Sequence, residues 1–337
     1  MKSDSNRIVF LDITKCFAIF CVILGHVIQQ TFPGDPYHDS LLFQFIYSFH
    51  MPLFMVVSGY FMGKAFAISP LQFLKKRSVQ LLLPVLTFSV LFILFHNTIY
   101  THLTGKESIN FFTYLSGGWM WFLKYLFICS VIAYASKKIF RNDALAALLP
   151  TILLILLTRT TIFRLLPFLW LGYFLHKYND RLFKRPSVTL INSLICFVFF
   201  LIFWKGDYDA AHRIIFFKEA VRFDVHNFII TLIRLGVGAS GSIFFIALFK
   251  ILMERVKDGK LWQVCCETGR NTLGIYCVQI YLLEFGLDHI PVVFNFPGAV
   301  FAQLIYAVIV LVLCDLLVRL IKKNKWTALF MLGHQIR

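Results

Sequence analysis

The strongest constraint in this 337-residue sequence is a succession of apolar stretches, most of which approach the length of a membrane-spanning helix. A helix needs about 20 residues to cross the hydrocarbon core of a bilayer, where its backbone groups must be hydrogen-bonded internally. The fifth and sixth stretches are short and flank residues 158–164, so a tilted or re-entrant hairpin is the alternative for that pair. The pattern predicts an all-α polytopic membrane protein with about ten transmembrane helices, at residues 8–32, 41–63, 79–99, 119–137, 144–158, 162–177, 188–204, 227–250, 271–287 and 298–320.

Composition and the distribution of positive charge agree with this class. Hydrophobic residues make up 59% of the chain, above the roughly 45–50% of soluble domains. With the N-terminus placed inside, 23 of the 33 Lys and Arg residues fall in inner segments and 7 in outer loops. Such an excess marks the cytoplasmic side of a membrane. We therefore expect both termini to be cytoplasmic, and the net charge of +16 requires no nucleic-acid partner.

The chain is expected to form a single transmembrane domain over residues 1–337, without an additional soluble domain. Most of its 8 cysteines lie in apolar segments, where Cys behaves as a small hydrophobic residue. The sequence has no C-x-x-C pair and no Cys/His spacing typical of zinc ligands, so we expect neither a disulfide framework nor a metal site.

The first apolar segment carries three ionisable residues, Asp12, Lys15 and His26. Ionisable groups inside a membrane span are costly and indicate function. Lys15 and His26 are eleven positions apart, which places them on one helix face about 16 Å apart, and Asp12 lies one turn before Lys15. Lys15 either binds an anionic ligand that enters from the cytoplasm or extends to the lipid headgroups as an interfacial lysine does.

The second segment adds His50 and Pro52. If this helix enters from the outside, His50 lies at a depth similar to that of His26, so the two imidazoles are expected to face one cavity. Pro52 frees the carbonyl of Ser48 from its helical hydrogen bond, and a free carbonyl is tolerated where it lines a cavity. The alternative is two packed histidines, each hydrogen-bonded to a neighbour.

Further cations and aromatic residues form weaker candidates. Lys75, Lys76 and Arg77 stand at the inner mouth of the first helices and suit phosphates, although a basic flank at the end of a span has the same pattern. The remaining candidates lie in predicted spans, where Trp121 is also explained by an aromatic belt. They are Trp121, Lys124, Arg234 and Glu284.

Five motifs follow one another along the chain, namely LDITKCFAIFCVILGH (11–26), SFHMPLFMVVSGYFMGK (48–64), FLKKRSVQLLLP (73–84), WMWFLKYLF (119–127) and GRNTLGIYCVQIYLL (269–283). Together they resemble the acyltransferase-3 family. The sequence has no H-x4-D acyltransferase signature, no phosphate-binding loop and no nucleophile elbow. Family members are ten-helix acyltransferases of the bacterial inner membrane. The first motif is most similar to the branch called fucose 4-O-acetylase-like.

The resemblance implies transfer of an acyl group, usually acetyl, from cytoplasmic acyl-CoA to a sugar hydroxyl of an exported glycan or a lipid-linked precursor. It makes His26 the catalytic residue and Lys15 part of the donor site, and His50 matches the histidine of the family's F-H-x-P-L-F element. Many relatives have a second arginine where this chain has Gln80, and a histidine where it has Gln279.

We therefore predict an O-acyltransferase with His26 as general base and no metal. The phosphates of acyl-CoA are expected near Lys15, Lys75, Lys76 and Arg77. His50 orients His26, stabilises the oxyanion or shares the proton, and an acyl-histidine intermediate is the alternative path. A transporter of a glycan or small solute is the alternative function, since ionisable residues and a Pro-containing helix also suit a transport path.

Overall fold

The computed structural model describes residues 8–31, 37–104, 107–117, 120–157, 161–205, 214–216, 222–255, 259–287 and 299–333. The helices are α1 (Val9–Thr31), α2 (Leu41–Tyr60), α3 (Met62–Phe66), α4 (Pro70–Arg77), α5 (Leu83–Phe95), α6 (Thr101–Thr104), α7 (Phe111–Ser116), α8 (Trp121–Ile139), α9 (Asp143–Leu157), α10 (Thr161–Lys177), α11 (Asn179–Leu182), α12 (Pro186–Phe203), α13 (Val225–Arg255), α14 (Lys260–Arg270), α15 (Thr272–Leu287), α16 (Ala299–Ile321) and α17 (Lys325–Leu332). Two short strands, β1 (Ile215–Phe216) and β2 (Arg222–Phe223), pair antiparallel.

A helix occupies each of the ten stretches predicted from the sequence. Six of the described helices are long and apolar enough to cross a membrane, and two shorter apolar helices cover Asp143–Leu157 and Thr272–Leu283. The six are Val9–Thr31, Leu41–Tyr60, Pro70–Ile99, Pro186–Phe203, Val225–Arg255 and Ala299–Ile321. A largely helical protein with several candidate spans is thus confirmed, while the count of ten spans and the side of each terminus stay predictions.

The third predicted helix begins earlier than residue 79. Ser69 and Gln72 form a capping box, and Pro70 occupies the first turn, where its missing N–H costs nothing. From there the helix runs on through a π-helical turn at Ser78–Leu82 into α5. The polar sequence of α4 concealed this extension from a prediction based on hydropathy.

The first helix forms the centre of the protein. It contacts α2, α13, α14, α15 and α16, and 72% of its apolar window is buried, against 11% for α12 and 28% for α16. The peripheral helices expose leucine, isoleucine and valine side chains, as expected where lipid rather than protein covers them. Most polar residues of α1, including Asp12, Thr14 and Thr31, are therefore held inside the protein.

Glycine allows the helices around α1 to approach closely. A Cβ atom at Gly59 of α2 would lie 1.9 Å from the carbonyl oxygen of Leu169 in α10, and one at Gly172 of α10 would lie 1.9 Å from that of Val56 in α2. Small residues at such contacts let the backbones of membrane helices pack against each other. The packing fixes α2, and with it His50, against the rest of the bundle.

Candidate functional site

A cavity of about 480 Å³ lies among α1, α2, α3, α4, α8, α14 and α15, and we call it the cationic cavity. Its positively charged lining residues are Lys15, Lys64, Lys76, Arg77 and Arg270. None of the described residues that line it is acidic. Concentrated positive charge within a partly closed cavity favours an anionic ligand.

The carboxylate of Asp12 pairs with two of these cations, Lys15 and Arg270. Its Oδ1 accepts a bond of 2.6 Å from Lys15 Nζ, and its Oδ2 accepts one of 3.4 Å from Arg270 Nε. Asp12 is 8% exposed, so water screens these pairs less than surface pairs. The two cations therefore reach the cavity wall from different helices with a common anchor.

Arg270 stands at the corner between α14 and α15, which further contacts hold in place. A Cβ atom at Gly269 would lie 1.8 Å from the carbonyl oxygen of Asp12, so α14 lies directly against α1. On the other side, Asn271 donates to Asp315 Oδ1 at 2.5 Å, and Arg319 Nε donates to Asp315 Oδ2 at 2.8 Å. The corner is fixed to both α1 and α16.

Two of the three predicted basic residues of α4 line the cationic cavity. Arg77 donates from Nη1 to Gln80 Oε1 at 3.2 Å and from Nη2 towards Met62 Sδ at 3.2 Å. The side-chain oxygen of Gln80 therefore orients the guanidinium group of Arg77. Lys76 is exposed and also lines the cavity, whereas Lys75 is exposed and is not among the lining residues.

A second cavity, of about 340 Å³, contains both predicted imidazoles, and we call it the histidine cavity. His26 and His50 line it together with five aromatic residues and one cation, which are Tyr47, Trp121, Tyr125, Phe168, Tyr276 and Arg234. Aromatic rings beside hydrogen-bonding groups suit a sugar, because its apolar faces stack while its hydroxyls bind polar side chains.

The hydrogen bonds of the two histidines define their neutral tautomers. His26 Nδ1 lies 2.9 Å from Gln29 Oε1, and His50 Nδ1 lies 2.8 Å from the carbonyl oxygen of Ile46. Both oxygens are acceptors, so each neutral imidazole carries its hydrogen on Nδ1 and its lone pair on Nε2. His26 Nε2 is then the atom that can accept a proton in the cavity.

The two cavities adjoin, because Val22, Met51 and Tyr276 line both. Along α1 the lining passes from Lys15 through Val22 to His26 and Gln29. Their spacings of seven, four and three residues keep all four on one helix face. The polar face predicted for α1 is thus divided between two compartments.

The other predicted residues occupy different environments. Lys124 donates to the carbonyl oxygens of Leu115 at 3.0 Å and Gly117 at 2.6 Å, at the end of α7, and it lines neither cavity. The side chain of Glu284 lies outside the described residues. Lys124 thus has a visible structural role.

Sequence analysis did not identify Gln29, Lys64, Arg270 or Tyr276, all of which line the cavities. Gln29 follows His26 by three residues, a helical spacing that would have identified it. Arg270 is 258 residues from its partner Asp12, and no local pattern predicts that contact.

Among the described residues, no group of three or more His, Cys, Asp or Glu side chains is placed to hold a metal ion.

Most of the chain is similar to known proteins. Residues 8–319 match the family described as an acyltransferase domain. The chain is similar to the nodulation protein NolL of Sinorhizobium fredii, with 26% identity over 294 residues that cover 82% of this chain and 78% of that protein. It is also similar to the nodulation protein NolL of Mesorhizobium japonicum, with 42% identity over 85 residues, or 24% of this chain and 23% of that protein. No solved structure matches the chain.

Proposed function

Because the chain belongs to the acyltransferase-3 family and is an O-acyltransferase, we propose that it moves an acyl group, normally acetyl, from cytoplasmic acyl-CoA to a sugar hydroxyl. The acceptor belongs to an exported glycan or its lipid-linked precursor. The observation that carries this proposal is the pair of adjoining cavities, one lined by cations and the other by two imidazoles.

The cationic cavity supports the assignment of the donor. Acyl-CoA carries several phosphate charges, and cations in a confined site bind phosphates through charge-assisted hydrogen bonds. Its volume of about 480 Å³ lies within the roughly 300–1,000 Å³ of typical ligand sites. The phosphates bind Lys15, Lys76, Arg77 and Arg270, and the acyl end of the donor points to the boundary formed by Val22, Met51 and Tyr276.

The histidine cavity supports the assignment of the acceptor and the base. His26 Nε2 removes the proton of the sugar hydroxyl as its oxygen attacks the thioester carbonyl carbon. The carbon–sulfur bond then breaks, and CoA leaves as a thiolate that takes the proton from His26. His50 assists His26 from the same cavity, and Trp121 and Tyr125 hold the sugar ring.

The location of the two cavities fits an enzyme of the bacterial inner membrane. With ten spans and both termini in the cytoplasm, the cationic cavity lies towards the cytoplasm and the histidine cavity towards the outside. Donor and acceptor then approach from opposite sides of the membrane, so the acyl group alone crosses the boundary between them.

The test is an assay with purified protein in proteoliposomes and acetyl-CoA labelled in the acetyl group. The wild type transfers label to a glycan acceptor, and His26→Ala lowers the rate about 10²–10⁴-fold, the usual contribution of a general base. His96→Ala is the matched control, because His96 is buried but lines neither cavity. Equal activity of wild type and His26→Ala would refute the assignment of the base.

Transport is the alternative, since two cavities in series also suit a path through the membrane. The same proteoliposomes distinguish the two functions. A transporter moves labelled glycan across the bilayer without acylating it, whereas a transferase yields an acylated product that mass spectrometry detects.

A further inference from the structure

Tyr276 of α15 occupies the boundary between the two cavities. It is 7% exposed and lines both of them. Val22 and Met51, the other described residues that line both, are apolar. Among the described residues, Tyr276 therefore has the only polar side chain that lines both cavities.

The hydroxyl of Tyr276 is polarised by the start of α8. Its oxygen accepts the backbone N–H of Phe122 at 3.3 Å. Phe122 lies in the first turn of α8, where N–H groups have no partner within the helix and the helix dipole is positive. Met120, which precedes α8 with a φ of 49°, provides no side-chain cap. An N–H bond to the phenol oxygen makes its O–H a stronger donor.

The hydrogen of this hydroxyl is available for a ligand. Among the described residues, no acceptor for it is found, and the bond from Phe122 uses only a lone pair of the oxygen. A tyrosine that only capped α8 would leave a buried donor unused, which is unfavourable. A carbonyl oxygen at the boundary of the cavities would complete its hydrogen bonding.

We propose that Tyr276 is a catalytic residue whose O–H binds the thioester carbonyl oxygen and stabilises the oxyanion formed on it. This assignment rests on the proposed function, because a donor in the cationic cavity and a base in the histidine cavity place the reacting carbon at their boundary. Stabilisation of this kind is strongest from a donor that is fixed before the reaction, in a site with little water.

The hydrogen bond strengthens as the reaction proceeds. The acceptor oxygen forms a bond to the carbonyl carbon while its proton moves to His26 Nε2, and the π electrons of the carbonyl move to its oxygen. This oxyanion accepts the hydrogen bond from Tyr276. When the carbonyl reforms, the carbon–sulfur bond breaks, and the CoA thiolate takes the proton from His26. The products are the sugar ester and CoA, and Tyr276 keeps its own proton throughout.

Tyr276→Phe tests the proposal by removing only the hydroxyl. Loss of one oxyanion donor lowers kcat about 10²–10³-fold, whereas KM for acetyl-CoA and the affinity for a thioether analogue, which lacks the carbonyl, stay within about threefold. Tyr281→Phe is the matched control, since Tyr281 lies on the same helix, donates to the carbonyl of Phe88 and lines neither cavity. It is expected to retain wild-type kcat.

Two results would overturn the assignment. One is a kcat for Tyr276→Phe within about threefold of wild type, and the other is an equal loss of thioether binding and activity, which indicates a structural role. If the variant does not fold, the wild type is examined by infrared spectroscopy with bound acetonyl-CoA labelled at the carbonyl. A hydrogen bond lowers the carbonyl stretching frequency, and an unshifted band would refute the proposal. Absence of any transfer by the wild type would instead refute the proposed function.

Discussion

At the level of single residues, the first prediction concerns Gln29, which contacts the ring of His26, the base of the proposed reaction. Its Oε1 lies 2.9 Å from Nδ1, which leaves the lone pair of the neutral ring on Nε2. Gln29→Leu removes this acceptor, so the ring rotates or changes tautomer. We expect kcat to fall about tenfold or more with little change in KM for acetyl-CoA, because groups behind a catalytic histidine commonly act through its orientation.

The control for this prediction is Gln30→Leu. Gln30 is the next residue along α1, but it is exposed and lines neither cavity. Steady-state kinetics of both variants separate the contact with His26 from a general effect of replacing glutamine by leucine. Equal kcat values for the two variants would exclude a positioning role for Gln29.

Lys15 provides the second prediction for a single residue. The 2.6 Å bond to Asp12 and its place in the cationic cavity favour phosphate binding over extension to the lipid headgroups. A bond to a charged group contributes about 1.5–3 kcal/mol, so Lys15→Met should raise the Kd for acetyl-CoA roughly tenfold or more. Isothermal calorimetry measures this change.

Lys15→Arg and Lys138→Met are the controls for that measurement. The first variant keeps the charge, and we expect it to recover most of the affinity. The second removes an exposed lysine at the end of α8 that lines neither cavity. An unchanged Kd for Lys15→Met would indicate that Lys15 extends to the lipid headgroups and does not bind the donor.

At the level of secondary structure, the contact between α1 and α14 shapes the cationic cavity. Because a Cβ atom at Gly269 would lie 1.8 Å from the carbonyl oxygen of Asp12, Gly269→Ala forces the helices apart and moves Arg270. We expect a lower melting temperature and weaker binding of acetyl-CoA. Gly63→Ala is the control, since its nearest atoms would lie at 3.8 and 3.9 Å, an ordinary contact distance. Similar melting temperatures for both variants would contradict this packing.

A pair of thiols reports on the same contact. A hydrogen bond from Cys16 of α1 lowers the pKa of the Cys265 thiol of α14 to about 7, while burial acts in the opposite direction. Thiolate is the reactive form, so Cys265 should be alkylated readily at neutral pH. In Cys16→Ala the pKa rises towards its ordinary value, the thiolate fraction at pH 7 falls, and alkylation slows several-fold.

Peptide mass spectrometry after brief iodoacetamide treatment measures the modification of Cys265. Cys21→Ala is the matched control, because Cys21 is a buried cysteine of the same helix that has no bond to Cys265. An alkylation rate that is unaffected by Cys16→Ala would show that α1 and α14 are separated at this position in solution.

At the level of the whole molecule, the features that could be predicted from the sequence are those that depend on residues close together along the chain. Apolar stretches and helical spacing predicted a helix at each of ten places along the chain and the common face of Lys15 and His26, since both depend on residues that are near in sequence. The division of that face into two cavities depends on Met51 and Tyr276, which come from other helices. Arg270 likewise reaches Asp12 only through tertiary packing. No periodicity along the chain contains that information.

The arrangement of two adjoining cavities leads to a prediction about acyl selectivity. In the proposed reaction the acyl group lies at the boundary between the two cavities, where Met51 contributes a long side chain. Met51→Ala enlarges this space by several atoms. One methylene group in an apolar site changes discrimination by about 1–3 kcal/mol, so the ratio of kcat/KM for butyryl-CoA to that for acetyl-CoA should rise about tenfold or more.

Met55→Ala provides the control, because Met55 lies one turn further along α2, is fully buried and lines neither cavity. Truncation of either methionine leaves a void that destabilises the fold by a few kcal/mol, so both variants should show a similar loss of melting temperature. Only Met51→Ala is expected to change the preference for acyl length. If the two variants keep the wild-type ratio, the acyl group does not pass Met51, and the donor must reach His26 by another route.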